Sequence, residues 1–217
     1  MAEDIRKMFR TDGVKEFEKV YEKPHCIVLD SEYCSMGRMI AKKACDATGY
    51  AYYDAVILLE TVKECGITNE MLGAYEDSLR SRVMPVSEVR TEEYLRITEA
   101  FDRAVSMALE KGPCLIHDRT TKEFVEAKGY SCLSVLTYGT DLAAKMVRAS
   151  LSPLYKDLAG NKDALLEKIQ EETNIRINYH AGHSDQPWGE RNTYDLCLNT
   201  DTLGRDFSAK VLAEFMR

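Results

Sequence analysis

The chain has 217 residues, 45% of them hydrophobic and 30% charged, which suits one α/β domain with small additions. Its net charge of −7 argues against a DNA or RNA footprint, which needs a clustered cationic face, but leaves room for a cationic pocket inside an acidic shell. The opening Met-Ala-Glu-Asp-Ile-Arg-Lys lacks the apolar core of a signal peptide, and no apolar run approaches membrane-spanning length. Seven cysteines with no C-x-x-C pair suit thiols in a reducing cytoplasm, so a cytoplasmic protein with no membrane partner is expected.

Residues 3–22 carry Ile5, Met8, Phe9, Val14, Phe17, Val20 and Tyr21 at helical spacing, broken at Asp12-Gly13. Two short amphipathic helices follow from that spacing, a helical extension over residues 1–23. Pro24 ends them, and a first strand begins at His25. Its apolar run, Cys26 to Leu29, leads into a polar turn, and Gly37-Arg38 opens a helix whose inner face is Ile40, Ala41 and Ala44. Strand, loop and helix N-terminus in that order make an anion site from main-chain N–H groups and the helix dipole. A working loop of this kind reads G-x-x-x-x-G-K-[ST]. Here Gly37 and a cation at Arg38 persist, Glu32 holds the first glycine's place, and Ile40 replaces the hydroxyl residue.

Gly49 stops that helix, and Tyr50 to Tyr53 form a β-prone run ending at Asp54. Residues 55–82 have helical spacing in two pieces divided near Gly66. Met84-Pro85-Val86 is a connector, and Thr91 caps a long helix that Gly112-Pro113 terminates. Cys114 to His117 is the next strand, leading directly into Asp118-Arg119. A helix over 120–128, a strand over 133–138, a helix from Asp141 and a polar helix over 162–173 follow. Tyr194 to Leu198 is a last strand, and Phe207, Val211, Leu212 and Phe215 mark a closing helix. Strands alternating with helices imply a mostly parallel sheet covered on both faces, with ligands at the carboxyl ends of the strands. Asp30, Asp54, Asp118 and Arg119 fall at those ends.

The order of residues also resembles the cytidylate kinase-like family of P-loop nucleoside monophosphate kinases, found mostly in bacteria. Its loop typically reads I-S-R-E-Y-G-S-G-G-R-x-I-A, against Leu29-Asp30-Ser31-Glu32-Tyr33-Cys34-Ser35-Met36-Gly37-Arg38-Met39-Ile40-Ala41 here. Gly49 to Asp54 is similar to G-x-x-Y-Y-D, and Glu110 to Ile116 followed by Arg119 is similar to E-K-G-P-C-V-I-V-G-R. Trp188-Gly189, Tyr194 to Thr200 and Leu203-Gly204 resemble W-G-D-x-x-N-Y-D-L-x-L-N-T-x-x-L-G. These blocks span residues 25–206. Ser31 stands where the pattern has arginine, and Cys34, Met36 and Asp118 stand where it has glycine.

The resemblance implies a P-loop, adenylate-kinase-like α/β sandwich over 24–217, with a five-stranded parallel core and a lid over about 150–190. It implies transfer of the γ-phosphate of ATP, with Mg2+, to a nucleoside monophosphate such as CMP. In that scheme Cys34, Ser35, Met36, Gly37 and Arg38 surround the phosphates. Arg38, Arg148 and Arg176 neutralise the transferring group, and Asp54, Arg119 and Lys145 hold the acceptor. The lost glycines point to a loop relaxed into another shape, or to a pocket filled by Met36. The alternatives are a catalytically silent protein that binds a nucleotide or other phosphate-bearing small molecule, and an assembly module. Assembly as a homo-oligomer stays open.

Other chemistries fit less well. A phosphatase-type loop from Cys34 would need arginine at position 40, where Ile40 stands. His180-x-x-His183 has no third His or Cys nearby in sequence, so a packing role is expected, as it is for Trp188. Cys114, Cys132 and Cys197 are expected in the core.

Overall fold

A computed structural model describes residues 21–217. The expected N-terminal helices therefore lie outside the described residues, apart from Tyr21 and Glu22, which have no regular structure. The Tyr21 hydroxyl donates to the carbonyl of Phe215 at 2.6 Å, which ties the start of the described chain to its end.

Five strands form one parallel sheet: β1 (Cys26–Ser31), β2 (Ala51–Tyr53), β3 (Cys114–His117), β4 (Cys132–Tyr138) and β5 (Leu196–Asn199), in the order β2-β3-β1-β4-β5. β1 is central and buried throughout, which explains its near-continuous apolar sequence. Nine α-helices among the described residues flank the sheet. They are α1 (Gly37–Thr48), α2 (Ala55–Glu64), α3 (Asn69–Arg80), α4 (Val86–Val89), α5 (Glu92–Glu110), α6 (Lys122–Ala127), α7 (Leu142–Ser150), α8 (Lys162–His183) and α9 (Thr200–Glu214).

Alternate side chains of each strand point to opposite faces and build two cores. Ile27, Leu29, Leu115 and Val135 pack against Ile40, Ala41 and Ala44 of α1 and Leu212 of α9. Val28 and Ile116 on the other face pack against Val62 of α2, the α5 stripe from Ile97 to Leu109, and Tyr179 of α8. A third, small cluster (Ala149, Leu165 and Ile169, with Tyr33, Cys34 and Tyr155 against it) joins the lid-like segment to the loop after β1. Of the cysteines expected in the core, Cys114 is buried, whereas Cys132, the first residue of β4, and Cys197, on the edge strand β5, are half-buried.

The polar helix expected to stop at Thr173 runs ten residues further, to His183, and spans about 33 Å. No glycine or proline interrupts it before Gly182. Two polar residues of the added stretch are buried anchors. Asn178 accepts from the Met84 N–H at 2.8 Å and donates to the carbonyls of Leu79 at 2.8 Å and Arg82 at 2.7 Å. Asn174 donates to the Arg80 carbonyl at 3.0 Å. Gly182 lets the helix meet Tyr94, since a Cβ there would fall 1.3 Å from the Tyr94 hydroxyl.

Candidate functional site

The carboxyl ends of β1, β2 and β3, the loop after β1, and the facing segments of α7 and α8 enclose a cleft of about 670 Å3. The loop follows from its hydrogen bonds. The Glu32 N–H donates to the Thr137 carbonyl at 2.9 Å, and the Ser35 N–H closes a turn onto the Glu32 carbonyl at 3.0 Å. Cys34 (φ 64°) and Met36 (φ 67°) sit in the left-handed region, as does Asp118 (φ 57°) after β3. These three are the non-glycine residues with positive φ among the described residues, and each replaces a glycine of the family pattern. The expectation of a relaxed loop is therefore corrected: the side chains changed while the backbone kept glycine-like angles, at a cost on the order of 1–3 kcal/mol per residue. Cys34 and Met36 both line the cleft, and Met36 also packs against the core beneath α1. Burial pushes the Cys34 thiol up to about 11, against the pull of Arg148, Arg176 and Lys145, so it is not a thiolate at neutral pH.

Gly37 begins α1 with no side chain capping the helix. Its missing Cβ is required for packing, because one would fall 2.5 Å from Ser31 Cβ and 2.7 Å from Thr137 Oγ1. Ser35 is fully buried, with its hydroxyl 3.1 Å from Thr137 Oγ1. It is thus turned away from the cleft and does not supply the hydroxyl that a magnesium ion beside bound phosphates would use. No cluster of three or more His, Cys, Asp or Glu among the described residues is arranged to hold a metal.

The predicted cations converge, but each has an acidic partner. Arg38, whose side chain is 55% exposed, meets Asp54 at 2.8 Å. Asp54 also caps α2, accepting from the N–H groups of Val56 and Ile57 at 3.0 and 3.1 Å. Burial alone would raise its carboxyl, yet the Ile57 N–H, Arg38 and Tyr52 hold it below its usual value. Arg119 stacks over Tyr179 (4.9 Å) and Phe101 (5.7 Å) and lies 3.5 Å from Glu76. Lys145 binds the Glu32 carboxylate and does not line the cleft. Arg148 meets Asp201 at 2.8 Å. Arg176 lies over the Tyr33 ring, 3.2 Å from Glu172 and 3.7 Å from Asp118. Four arginines and five carboxylates line the cleft, so it is close to self-neutral.

Two features depart from simple neutralisation. The Nε groups of Arg148 and Arg176 are buried without a hydrogen-bond partner, although both residues line the cleft. Buried donors left open in this way are rare, and that of Arg176 lies 3.7 Å from Asp118 Oδ2. Asp118, conversely, is fully engaged. It accepts from the Ser31 N–H at 2.9 Å and lies 3.3 Å from His117 Nε2. Burial would raise its carboxyl, but His117, Arg176, Arg119 and the Ser31 N–H together lower it, so the floor of the cleft carries a fixed negative charge.

The partners of the cations were not found by sequence reasoning. Glu172 sits one helical turn before Arg176, a pairing hidden by the expected helix end at 173, and Glu32, Glu76 and Asp201 likewise needed the fold. His180 and His183 are both on α8 and serve packing. His180 Nδ1 lies 3.3 Å from Asp30, which also accepts from the Tyr194 hydroxyl at 2.7 Å. Trp188 lines a small void beside His180, together with Thr120 and Tyr179. No helix among the described residues is long and apolar enough to cross a membrane.

Comparison with known proteins agrees with this architecture. An uncharacterised protein from Eubacterium ventriosum superposes with a TM-score of 0.59 at 16% identity, covering 88% of this chain and 97% of its own. A sugar kinase from Janibacter (TM-score 0.49, 10% identity, 86% and 91% covered) is also similar. So is a shikimate kinase from Acinetobacter baumannii in complex with shikimate (TM-score 0.45, 11% identity, 93% and 96% covered). No protein of curated function matches by sequence. The sequence model of the cytidylate kinase-like family matches residues 26–202, most of the length and every strand of the sheet, and the chain belongs to that family.

Proposed function

We propose that this chain holds a phosphate-bearing small molecule, such as a nucleoside monophosphate, in the cleft without passing a γ-phosphate to it. The observation that supports the reading is the convergence of Arg38, Arg119, Arg148 and Arg176 on one cleft at the carboxyl ends of the strands. Two guanidinium edges at one site suit a phosphate or carboxylate oxygen. ATP with Mg2+ fits less well. Phosphoryl transfer needs surplus positive charge and a seated metal ion. Here the cleft arginines are matched by carboxylates, the Ser35 hydroxyl is turned inward, and Asp118 presents a negative charge on the floor.

Calorimetric titration with CMP and the other monophosphates, together with a coupled assay containing ATP and Mg2+, tests both halves. Saturable monophosphate binding with no ADP formed is the expected outcome. Steady turnover would restore the phosphotransferase reading, and no heat from any monophosphate would remove the ligand reading.

A further inference from the structure

A small void of about 10 Å3 lies beside the cleft and shares Asp118 and Arg176 with its wall. That is about the room one water molecule needs. Asp30 at the end of β1, Thr120 after β3, and Arg176 and His180 of α8 close around it. Several polar groups at the void are engaged elsewhere. Asp30 accepts from the Tyr194 hydroxyl at 2.7 Å, and Asp118 from the Ser31 N–H at 2.9 Å. Thr121 accepts from the Phe124 N–H at 3.4 Å, and the Tyr179 hydroxyl donates to the Arg119 carbonyl at 3.4 Å. Thr120 Oγ1, His180 Nε2 and Arg176 Nε, by contrast, are buried without a hydrogen-bond partner. They are three of seven such side-chain atoms among the described residues, and all three belong to residues that line this one void. The approach of Arg176 Nε to Asp118 Oδ2, at 3.7 Å, is beyond hydrogen-bond length.

The three open groups define what fits between them. Arg176 Nε only donates, and the Thr120 hydroxyl can donate or accept. His180 Nδ1 lies 3.3 Å from Asp30 Oδ2, so a proton on Nδ1 faces the carboxylate and Nε2 is left to accept. An anion would meet Asp30 and Asp118, and a cation would meet the Arg176 guanidinium. A neutral molecule of this size that both donates and accepts is water.

We propose that the void holds one ordered water, bonded to Arg176 Nε, His180 Nε2 and Thr120 Oγ1, and that this water positions Arg176 for the cleft. The water accepts from Arg176 Nε and donates to His180 Nε2, and the Thr120 hydroxyl completes its shell. Arg176 Nη1 is committed to Glu172, donating to its carbonyl at 2.6 Å and to its carboxylate at 3.2 Å. With Nε on the water, Nη2 is the donor left to a cleft ligand. Thr120 and His180 do not line the cleft, so they act on a ligand only through the water and Arg176. The effect on ligand affinity rests on the cleft being a ligand site; the water and the placing of Arg176 do not.

A high-resolution crystal structure of the full chain tests the site. A density peak within about 3.2 Å of Thr120 Oγ1, His180 Nε2 and Arg176 Nε is expected in the wild type. Thr120→Val keeps the shape of the side chain without its hydroxyl. It should lose the peak and turn the Arg176 guanidinium away from its wild-type place, and Thr120→Ser should restore both. In calorimetric titration CMP should bind Thr120→Val roughly 5-fold more weakly than the wild type, the worth of about one hydrogen bond, and Thr120→Ser should bind like the wild type. No peak in the wild type overturns the water site. An unmoved Arg176 in Thr120→Val overturns its positioning role, as does measurable CMP binding of equal affinity in that variant and the wild type. If CMP binds none of the three proteins, the ligand reading alone falls, because the density and the place of Arg176 still decide this proposal.

Discussion

Asp118→Asn isolates the charge on the cleft floor with little other change. Asparagine tolerates the left-handed φ of 57°, and its carbonyl oxygen can still accept the Ser31 N–H that Asp118 Oδ1 accepts at 2.9 Å. What is lost is one negative charge facing any bound phosphate. At about 4 Å and an effective dielectric near 20, that repulsion is roughly 4 kcal/mol before screening. Arg176, 3.7 Å from Asp118, already offsets part of it, and solvent in an open cleft screens more. A residual of about 1–2 kcal/mol corresponds to roughly a 5- to 30-fold gain in affinity. Calorimetric titration of CMP and of pyrophosphate into both proteins reads this directly. The gain should be larger for pyrophosphate, which carries more charge, and should shrink as salt is raised. Equal affinities in the two proteins, or a loss in the variant of native circular dichroism, would refute the account of Asp118 as an internal competitor of phosphate.

Two further outcomes test the packing. Asn178→Ala removes the partners of three main-chain groups at Leu79, Arg82 and Met84, and at about 1 kcal/mol or more per buried group the loss is roughly 3 kcal/mol. Urea denaturation measures it, and a change under about 0.5 kcal/mol would contradict the anchoring role. Asp102 and His183, 3.8 Å apart on α5 and α8, hold opposite pH terms. Burial pushes the Asp102 carboxyl up to about 6, so its term is lost as pH rises from about 4 to 6; burial also pushes the His183 imidazole down to about 4, so its term is gained as pH rises from about 4 to 6.5. Asp102→Asn leaves only the second, and its stability should climb more steeply than the wild type's between pH 4 and 6, with parallel curves as the contrary result.

The sequence determined the succession of strands and helices along the chain and most of their ends, because those signals are local. Thr91, Thr121 and Asp141 cap the helices that follow them, and Gly49 stops α1 in the left-handed region. The continuous apolar run of β1 reported a strand buried on both faces, and Arg38 and Arg119 were legible from their places directly after strands, whereas Arg148 and Arg176 came from the family resemblance. The extent of α8 was not legible, since Asn174 and Asn178 are polar in any sequence scale and are buried only because α3 and the chain around Arg82 and Met84 offer them main-chain partners. The loop after β1 shows the same division. Its chemistry was readable as lost glycines, but that the backbone keeps glycine-like angles at Cys34 and Met36 is seen only in the folded chain. Nor could any local signal place Ser31 beside His117, 86 residues away, or Arg148 beside Asp201, 53 residues away. Those pairs exist because parallel strands bring their carboxyl ends to one edge of the sheet, where charges and hydroxyls distant in sequence share one cleft.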